Sequence, residues 1–314
     1  MTSSSKVINC QPQLIFIVGA TGAGKSDAGF LLAQKLDGEI VSCDAMQVYR
    51  EVNIACDKPC LAMRRTIAHH MLDVVSVTED FDVARFRQMA IVAIDSILRR
   101  GKRPIIVGGS GMYAGVLLDG IFKSSAKDES LRARLQERVD KEGGVSLHRE
   151  LMAVDPKAAA KIHPHDTKRI IRALEVVMTT GIPISQMHKE REGLWGKYSI
   201  VIHALNRSRE DLYQRAEARV ERMFEQGLIE EMRALMPLPL GRTAATLIGI
   251  SEVRGYLDGN YDLERTKYLM KRNTRHYIKR QMTWFRRDER LQWMDIAKDD
   301  SMETVIERMM SGYA

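Results

Sequence analysis

The sequence predicts an α/β protein, a parallel-sheet core carrying an inserted helical domain. Three observations lead to this. Short apolar, β-branched runs alternate with stretches of helical periodicity, as in a parallel sheet wound with helices. The first run, Leu14 to Val18 (LIFIV), leads directly into GATGAGKS at Gly19 to Ser26, which fits the phosphate-loop template GxxxxGK[ST] at every fixed position and makes the core P-loop NTPase-like. From about 123 to 197 no strand-like run is evident, and helical patterns rich in Arg, Lys, Glu and His take over. The expected organisation is a first part of the core over 1–122, a helical insertion domain over 123–197, and a second part of the core over 198–314 ending in basic helices.

The glycine-rich loop dictates the chemistry of its own backbone. The peptide groups from Gly19 through Ala20, Thr21, Gly22, Ala23 and Gly24 can turn their N–H groups on one point, and the helix that follows adds its N-terminus, so a multiply charged phosphate group is held there. Lys25 is placed to reach the terminal phosphate. Ser26 is placed to offer its hydroxyl to Mg²⁺. A glycine-rich turn that binds nothing is the alternative, and it leaves the full motif and its correct flanks unaccounted for.

The next run, Glu39 to Cys43 (EIVSC), is a second strand and ends on Asp44. In an open α/β sheet, ligands sit beyond the carboxyl ends of the strands, so Asp44 is expected to face the same crevice as the loop. Its competing reading is a turn capped by an aspartate. An acid, an amide, a phenol and a guanidinium follow one another in Asp44-Ala45-Met46-Gln47-Val48-Tyr49-Arg50. His69-His70 beside Asp73 suggests a metal, but adjacent side chains on a strand point to opposite faces, so a structural pair is expected. Phe81 to Arg99 is an amphipathic helix with Phe86, Met89, Ala90, Ala93 and Ile97 on its buried side. A third strand, Ile105 to Val107, ends in Gly108-Gly109-Ser110 where a P-loop hydrolase would carry a magnesium-holding acid. Glycines there allow backbone to approach a ligand closely, and the Ser110 hydroxyl can hydrogen-bond an oxygen in the crevice.

Within the insertion, Lys168, Arg169 and Arg172 recur so that Lys168 and Arg172 share a helical face, a pattern that a solvated surface also shows. The sheet resumes at Tyr198 to Leu205. A helix from Ser208 to Gln226, stopped by Gly227, buries Leu212, Ala216, Val220 and Met223, with Arg215, Arg219 and Arg222 on the adjacent stripe. One of these arginines is expected in the crevice. Glu264 to Arg290 holds ten basic residues against three acids, an excess equal to the +7 of the whole chain, with Tyr268, Tyr277, Trp284 and Phe285 interleaved. Cations and π-faces along one helix suit a nucleic acid, while an amphipathic helix with inward aromatics is the plainer reading.

Bulk composition narrows the class further. With 314 residues, 45% hydrophobic and 28% charged, the chain is an ordinary globular protein rather than a disordered or fibrous one. Cys10, Cys43, Cys56 and Cys60 form no CxxC pair and complete no zinc set, so reduced thiols and a cytoplasmic location are expected. The start, MTSSSKVINCQPQ, lacks the apolar core of a signal peptide, and its first ten or so residues are expected to be a loose tail. No apolar run reaches the length of a membrane span, the longest candidate, Pro104 to Phe122, being broken by Gly108, Gly109, Ser110 and Asp119.

From about Leu14 to Trp293 the chain resembles the tRNA dimethylallyltransferases (tRNA isopentenyltransferases). The resemblance is carried by the P-loop, DAMQVYR at Asp44 to Arg50, Lys58-Pro59, His69 to Asp73, PIIVGGSGMY at Pro104 to Tyr113, Leu147-His148, Asp155-Pro156, Ile162 to Glu175, Gly181, Gly227 to Glu231, Ile248-Gly249 and TRHYIKRQMTWF at Thr274 to Phe285. It implies transfer of a dimethylallyl group from dimethylallyl diphosphate to the exocyclic amine of the adenosine 3′ of the anticodon, by a monomer. On that basis Asp44 is the general base, and Ser110, Lys25 and Arg215 or Arg219 stabilise the departing diphosphate, with Mg²⁺ on Ser26. The resemblance also places a tRNA anticodon stem-loop against Asp44, Ala45, Met46, Gln47 and Ser110 in the core. In the insertion it adds Arg132, Lys168, Arg169, Ile170, Ile171 and Arg172, and near the C-terminus the 274–286 segment, with Arg275, Lys279 and Arg280. The chain departs from the pattern at Ala45, Ala55-Cys56-Asp57, Ser110 and Ile250-Ser251. A P-loop small-molecule kinase, a non-catalytic tRNA-binding protein and an adenylate isopentenyltransferase are the competing readings; the insertion and the Thr274 to Arg290 block argue against the last.

Overall fold

A computed structural model describes residues 13–121, 128–187 and 191–313. The expected N-terminal tail, Cys10 and the boundary between 122 and 123 lie outside the described residues. The chain divides into two compact units, Asp119–Leu194 and the residues on either side of it.

The flanking unit is built on a six-stranded sheet, every pairing of which is parallel. Its strands are β1 (Leu14–Gly19), β2 (Gly38–Ser42), β3 (His69–His70), β4 (Arg103–Gly108), β5 (Ile200–Asn206) and β6 (Gln292–Asp295), in the order β3-β2-β4-β1-β5-β6. This is a P-loop NTPase-like fold. All six residues of β1 are buried, because helices cover both faces of a parallel sheet and leave no solvent side for polar alternation. The order sends the chain from β1 past the β4 position to β2 and back, so the carboxyl ends of β1, β2 and β4 are neighbours. That switch point is where such sheets take ligands.

The covering helices before the insertion are α1 (Lys25–Lys35), α2 (Leu61–Thr66), α3 (Val83–Arg99) and α4 (Gly111–Leu118). The Asp82 carboxylate caps α3 by accepting the N–H groups of Ala84 and Arg85, both at 3.0 Å. This helix buries Phe86, Ala90, Ile94 and Ile97. Met89 and Ala93, expected on that face, are only partly covered, so the buried stripe is turned toward Ile94.

The second unit holds α5 (Glu129–Glu142), α6 (Gly144–Val154), α7 (Pro156–Ala159), α8 (Thr167–Thr180) and α9 (Ile184–Met187). Its core joins Leu135, Leu147, Leu151, Ile170 and Leu174. Buried Glu175 is held there by Arg132 at 2.8 and 2.9 Å, Arg172 at 2.6 Å and the Asp128 N–H at 3.0 Å. Burial acts to raise the Glu175 pKa, but these donors outweigh it and keep the carboxyl below its ordinary range.

After the insertion come α10 (Arg209–Glu225), α11 (Leu228–Leu235), α12 (Ile250–Leu257), α13 (Leu263–Phe285) and α14 (Met302–Ser311). The predicted stripe on α10 is buried at all four positions. Strand β6 and helix α14 were not expected from the sequence. Three of the four β6 residues are exposed, as befits an edge strand, so no apolar run announces it. Val305, Ile306 and Met309 of α14 complete the core that includes Ala28 and Leu32 of α1. The two histidines of β3 diverge, His70 Nε2 to Glu39 Oε2 at 2.6 Å and His69 Nδ1 to the Ile67 carbonyl at 2.8 Å. Among the described residues no helix is long and apolar enough to cross a membrane.

Candidate active site at the phosphate loop

Three strand ends meet at one cavity of about 290 Å³ in the flanking unit. The β1 end supplies the phosphate loop. Gly24 caps α1 with φ 93, a left-handed conformation that an L side chain would strain, and this lets the loop turn its amides inward. Two side chains from distant helices brace it. Arg215 of α10 donates from Nε to the Gly22 carbonyl at 2.8 Å. Gln281 of α13 accepts the Thr21 N–H at 2.9 Å through Oε1 and donates to the Gly109 carbonyl at 2.9 Å through Nε2, joining the β1 and β4 ends.

Lys25 Nζ donates to the Ala20 carbonyl at 2.8 Å. Burial pulls its pKa down to about 8; Asp44 works against that shift, Arg219 with it, and Asp57 against it. A site that lowers a lysine pKa by desolvation is one in which an incoming anion gains most from the ammonium.

At the β2 end, Asp44 Oδ1 accepts the N–H groups of Met46 at 2.8 Å and Gln47 at 3.4 Å. The capped turn and the crevice-facing acid are thus the same residue, because a carboxylate has two oxygens and the turn engages Oδ1. At the β4 end, Gly108 passes so close to the β2 end that a Cβ there would lie 2.0 Å from the Cys43 carbonyl oxygen. This approach brings Ser110 Oγ to the Ala45 N–H, which it accepts at 3.1 Å. Tyr277 of α13 reaches the same hydroxyl, and burial, helped by the Asp44 charge, pushes its phenol up to about 12.

The cavity wall is polar near the loop, with Lys25, Ser26, Asp44, Asp57, Arg219 and Arg280. It is apolar along the helices, where α10 adds Val220 and Met223, α13 adds Met270, and Leu247 and Ile248 precede α12. The loop at 53–58 closes one side. Glu231 of α11 accepts the N–H groups of Asn53, Ile54 and Ala55 at 2.8, 2.8 and 2.9 Å, and Lys58 Nζ joins the Tyr49 carbonyl and Asp73, each at 2.6 Å. Gln47 is spent on the same loop, its Nε2 reaching the Cys56 and Asp57 carbonyls at 3.4 and 3.3 Å while Oε1 accepts from Ser42 Oγ at 2.8 Å.

Residues 47–288 match the model of the IPP transferase family. This chain belongs to that family. Among curated IPP transferase relatives, the tRNA dimethylallyltransferase of Heliobacterium modesticaldum is 43% identical over 301 residues, which is 95% of this chain and 92% of that one. A solved tRNA isopentenylpyrophosphate transferase of Bacillus halodurans is 36% identical with a TM-score of 0.71, covering 96% of this chain and 97% of that one. A eukaryotic dimethylallyltransferase, solved acting on tRNA, is 29% identical with a TM-score of 0.79, covering 95% of this chain and 77% of that one.

For this IPP transferase, Thr21, Lys25, Ser26, Asp44, Ala45, Met46, Gln47, Arg219 and Arg280 come together on the cavity wall. Other expected site residues do not. Ser110 is not on that wall but bonds Ala45, which is, and Arg215 holds the loop from outside. Ile170 and Ile171 are buried in the second unit, 0% and 8% exposed, so their side chains are core and not a tRNA surface. Arg132 and Arg172 are held by Glu175. Lys168 and Arg169 are exposed, Arg169 beside Asp166 at 3.3 Å. Arg275 of α13 pairs with Glu217 of α10, and Lys267 and Lys271 pair with Glu221 at 2.9 and 2.5 Å, so these three cations face protein. Lys279, Arg280, Arg286 and Arg287 are exposed.

Sequence reasoning did not assign Glu231, Lys58 or Asp57, and it placed Gln281 only within the tRNA-facing 274–286 segment, not at the phosphate loop. For Glu231 and Lys58 a signal existed in Gly227 to Glu231 and Lys58-Pro59, which carry the family resemblance without showing what they hold.

Proposed function

We propose that this chain is a cytoplasmic tRNA dimethylallyltransferase, moving a dimethylallyl group from dimethylallyl diphosphate to the exocyclic amine of the adenosine 3′ of the anticodon. The observation that carries this is the cavity itself, a phosphate loop continuous with an apolar wall of Val220, Met223, Leu247 and Met270. An aliphatic wall continuous with a phosphate site suits a five-carbon isoprenoid attached to diphosphate.

In the reaction the amine nitrogen attacks C1 of the dimethylallyl group as the bond from C1 to the diphosphate oxygen breaks. The amine proton passes to Asp44, whose Oδ1 is held by the Met46 and Gln47 N–H groups so that Oδ2 is the accepting atom. The loop amides, Lys25 and Arg219 take up the charge of the leaving diphosphate. Ser110 keeps the Asp44 turn in place through Ala45. Arg215 and Gln281 do the same for the loop.

Ser26 on the cavity wall fits Mg²⁺, which is commonly held by one or two protein oxygens together with substrate phosphates. Among the described residues no cluster of three His, Cys, Asp or Glu offers a cage for an ion without substrate. When bound, the ion neutralises diphosphate charge. Lys279, Arg280, Arg286 and Arg287 on α13 and just beyond it, with exposed Trp284, present cations and a ring to the tRNA.

The test is incubation of the protein with tRNA and dimethylallyl diphosphate, followed by mass analysis of the nucleosides. A dimethylallyl gain on adenosine is expected, with no ATP consumed. ATP hydrolysis coupled to product formation would favour a P-loop kinase instead.

A further inference from the structure

The diphosphate cavity holds a carboxylate for which the transfer reaction has no use. Asp57 lies on its wall beside Lys25, Asp44 and Arg219. Asp57 Oδ2 stands 3.4 Å from Arg219 Nη1. Its backbone adopts φ 53, a left-handed conformation that non-glycine residues seldom take.

The loop around it is clamped on both sides. Glu231 fixes the N–H groups of residues 53–55, and Gln47 Nε2 holds the Asp57 carbonyl at 3.3 Å. The backbone that carries the Asp57 carboxylate is therefore braced, while the side chain itself is 60% exposed where it meets Arg219. Lys25 also feels the Asp57 charge.

A diphosphate entering this cavity meets the cations Lys25, Arg219 and Arg280 and the anions Asp44 and Asp57. Asp44 has the proton to accept. Asp57 repels the incoming anion and competes with it for Arg219, and an internal competitor lowers apparent affinity by the fraction of time it occupies the partner. For an enzyme that binds and releases the same group, weaker holding of the product speeds its departure.

We propose that Asp57 is a counter-anion that Arg219 exchanges for the diphosphate, setting how tightly the donor is held and how readily product diphosphate leaves. The proposal rests on the cavity being the diphosphate site described above.

Asp57→Asn keeps the size, tolerates the positive φ and removes the charge. With inorganic pyrophosphate as the probe and magnesium held constant, calorimetric titration should show about two- to five-fold tighter binding than in the wild type, the range expected of a partly exposed ion pair. The donor KM should fall with it, and kcat should fall as pyrophosphate leaves more slowly. In an Arg219→Gln background the same substitution should lose most of its effect. Unchanged or weaker pyrophosphate binding in Asp57→Asn, as a residue that only braced the loop or helped hold the metal would give, would overturn the proposal. So would full tightening without Arg219. A wild-type protein that binds no pyrophosphate would overturn the site assignment and the proposal together, which separates the two failures.

Discussion

Asp44 caps its turn through Oδ1, which leaves Oδ2 for the base role proposed above. Asp44→Asn retains the cap, since an amide oxygen also accepts from the Met46 and Gln47 N–H groups, but it cannot take the amine proton. Turnover should fall by about 10² to 10⁴ while tRNA affinity stays within a few-fold, measured by single-turnover transfer and by filter binding. Lys25 makes a second, pH-dependent prediction. Its folded pKa of about 8 lies below the ordinary 10.5, so the folded state loses the proton first as pH rises. Pyrophosphate needs the ammonium, so affinity should decline as pH passes 8, with proton uptake on binding above that point. Lys25→Arg, permanently charged, should lack this decline in the same titrations. The linkage for stability has the opposite sign: the unfolded chain binds more protons between 8 and 10.5, so this residue's contribution to stability rises with pH over that window.

Helix α13 carries two sets of cations on one amphipathic scaffold. It is tied to α10 by Arg275 with Glu217 and by Lys267 and Lys271 with Glu221, and to the phosphate loop by Gln281. Lys279 continues the stripe of Lys267, Lys271 and Arg275 at i+4 spacing but is exposed, as is Arg280, with Arg286 just past the C-terminus. Counting cations along the sequence merges these sets, whereas their pairing separates them. Replacing Lys279 and Arg286 by Ala should make the dependence of log tRNA affinity on log salt shallower by about one unit for each phosphate no longer neutralised. Arg275→Ala should leave that slope nearly unchanged and cost less than about 1 kcal/mol in denaturant titration, because its partly exposed pair is protein-directed. A slope that changed only with Arg275 would reverse the assignment of paired and tRNA-facing cations.

Two compact units in one chain imply that the donor site can be separated from the insertion. Every residue on the cavity wall belongs to the flanking unit. The ends of that unit are adjacent, the Trp195 N–H donating to the Leu118 carbonyl at 3.0 Å. Replacing residues 119–194 by a short Gly-Ser linker should therefore preserve pyrophosphate binding by calorimetry, because the linker closes a gap already bridged by a hydrogen bond. Transfer to tRNA should be lost or much reduced. Loss of pyrophosphate binding in a variant that still shows the far-ultraviolet dichroism of its helices and sheet would show that the donor site depends on the insertion.

By itself, the sequence determined the parallel core, the phosphate loop, Asp44 and the glycine-rich β4 end. Each of these is a local fact: a buried strand must be apolar, a loop that cradles phosphate must be glycine-rich, and a strand-end acid is adjacent in sequence to its strand. Strand β6 stayed hidden because an exposed edge strand needs no apolar residues, and α14 because its three buried residues have meaning only against α1. Only the tertiary structure decided that Gln281 and Arg215 brace the loop, that Glu231 holds residues 53–55, that Arg219 meets Asp57, and that Arg275 faces Glu217 while Lys279 faces solvent. These are pairings across long stretches of chain. Side-chain partners of that kind leave no periodicity in the sequence, since the distance that matters is fixed by the packing of one helix on another.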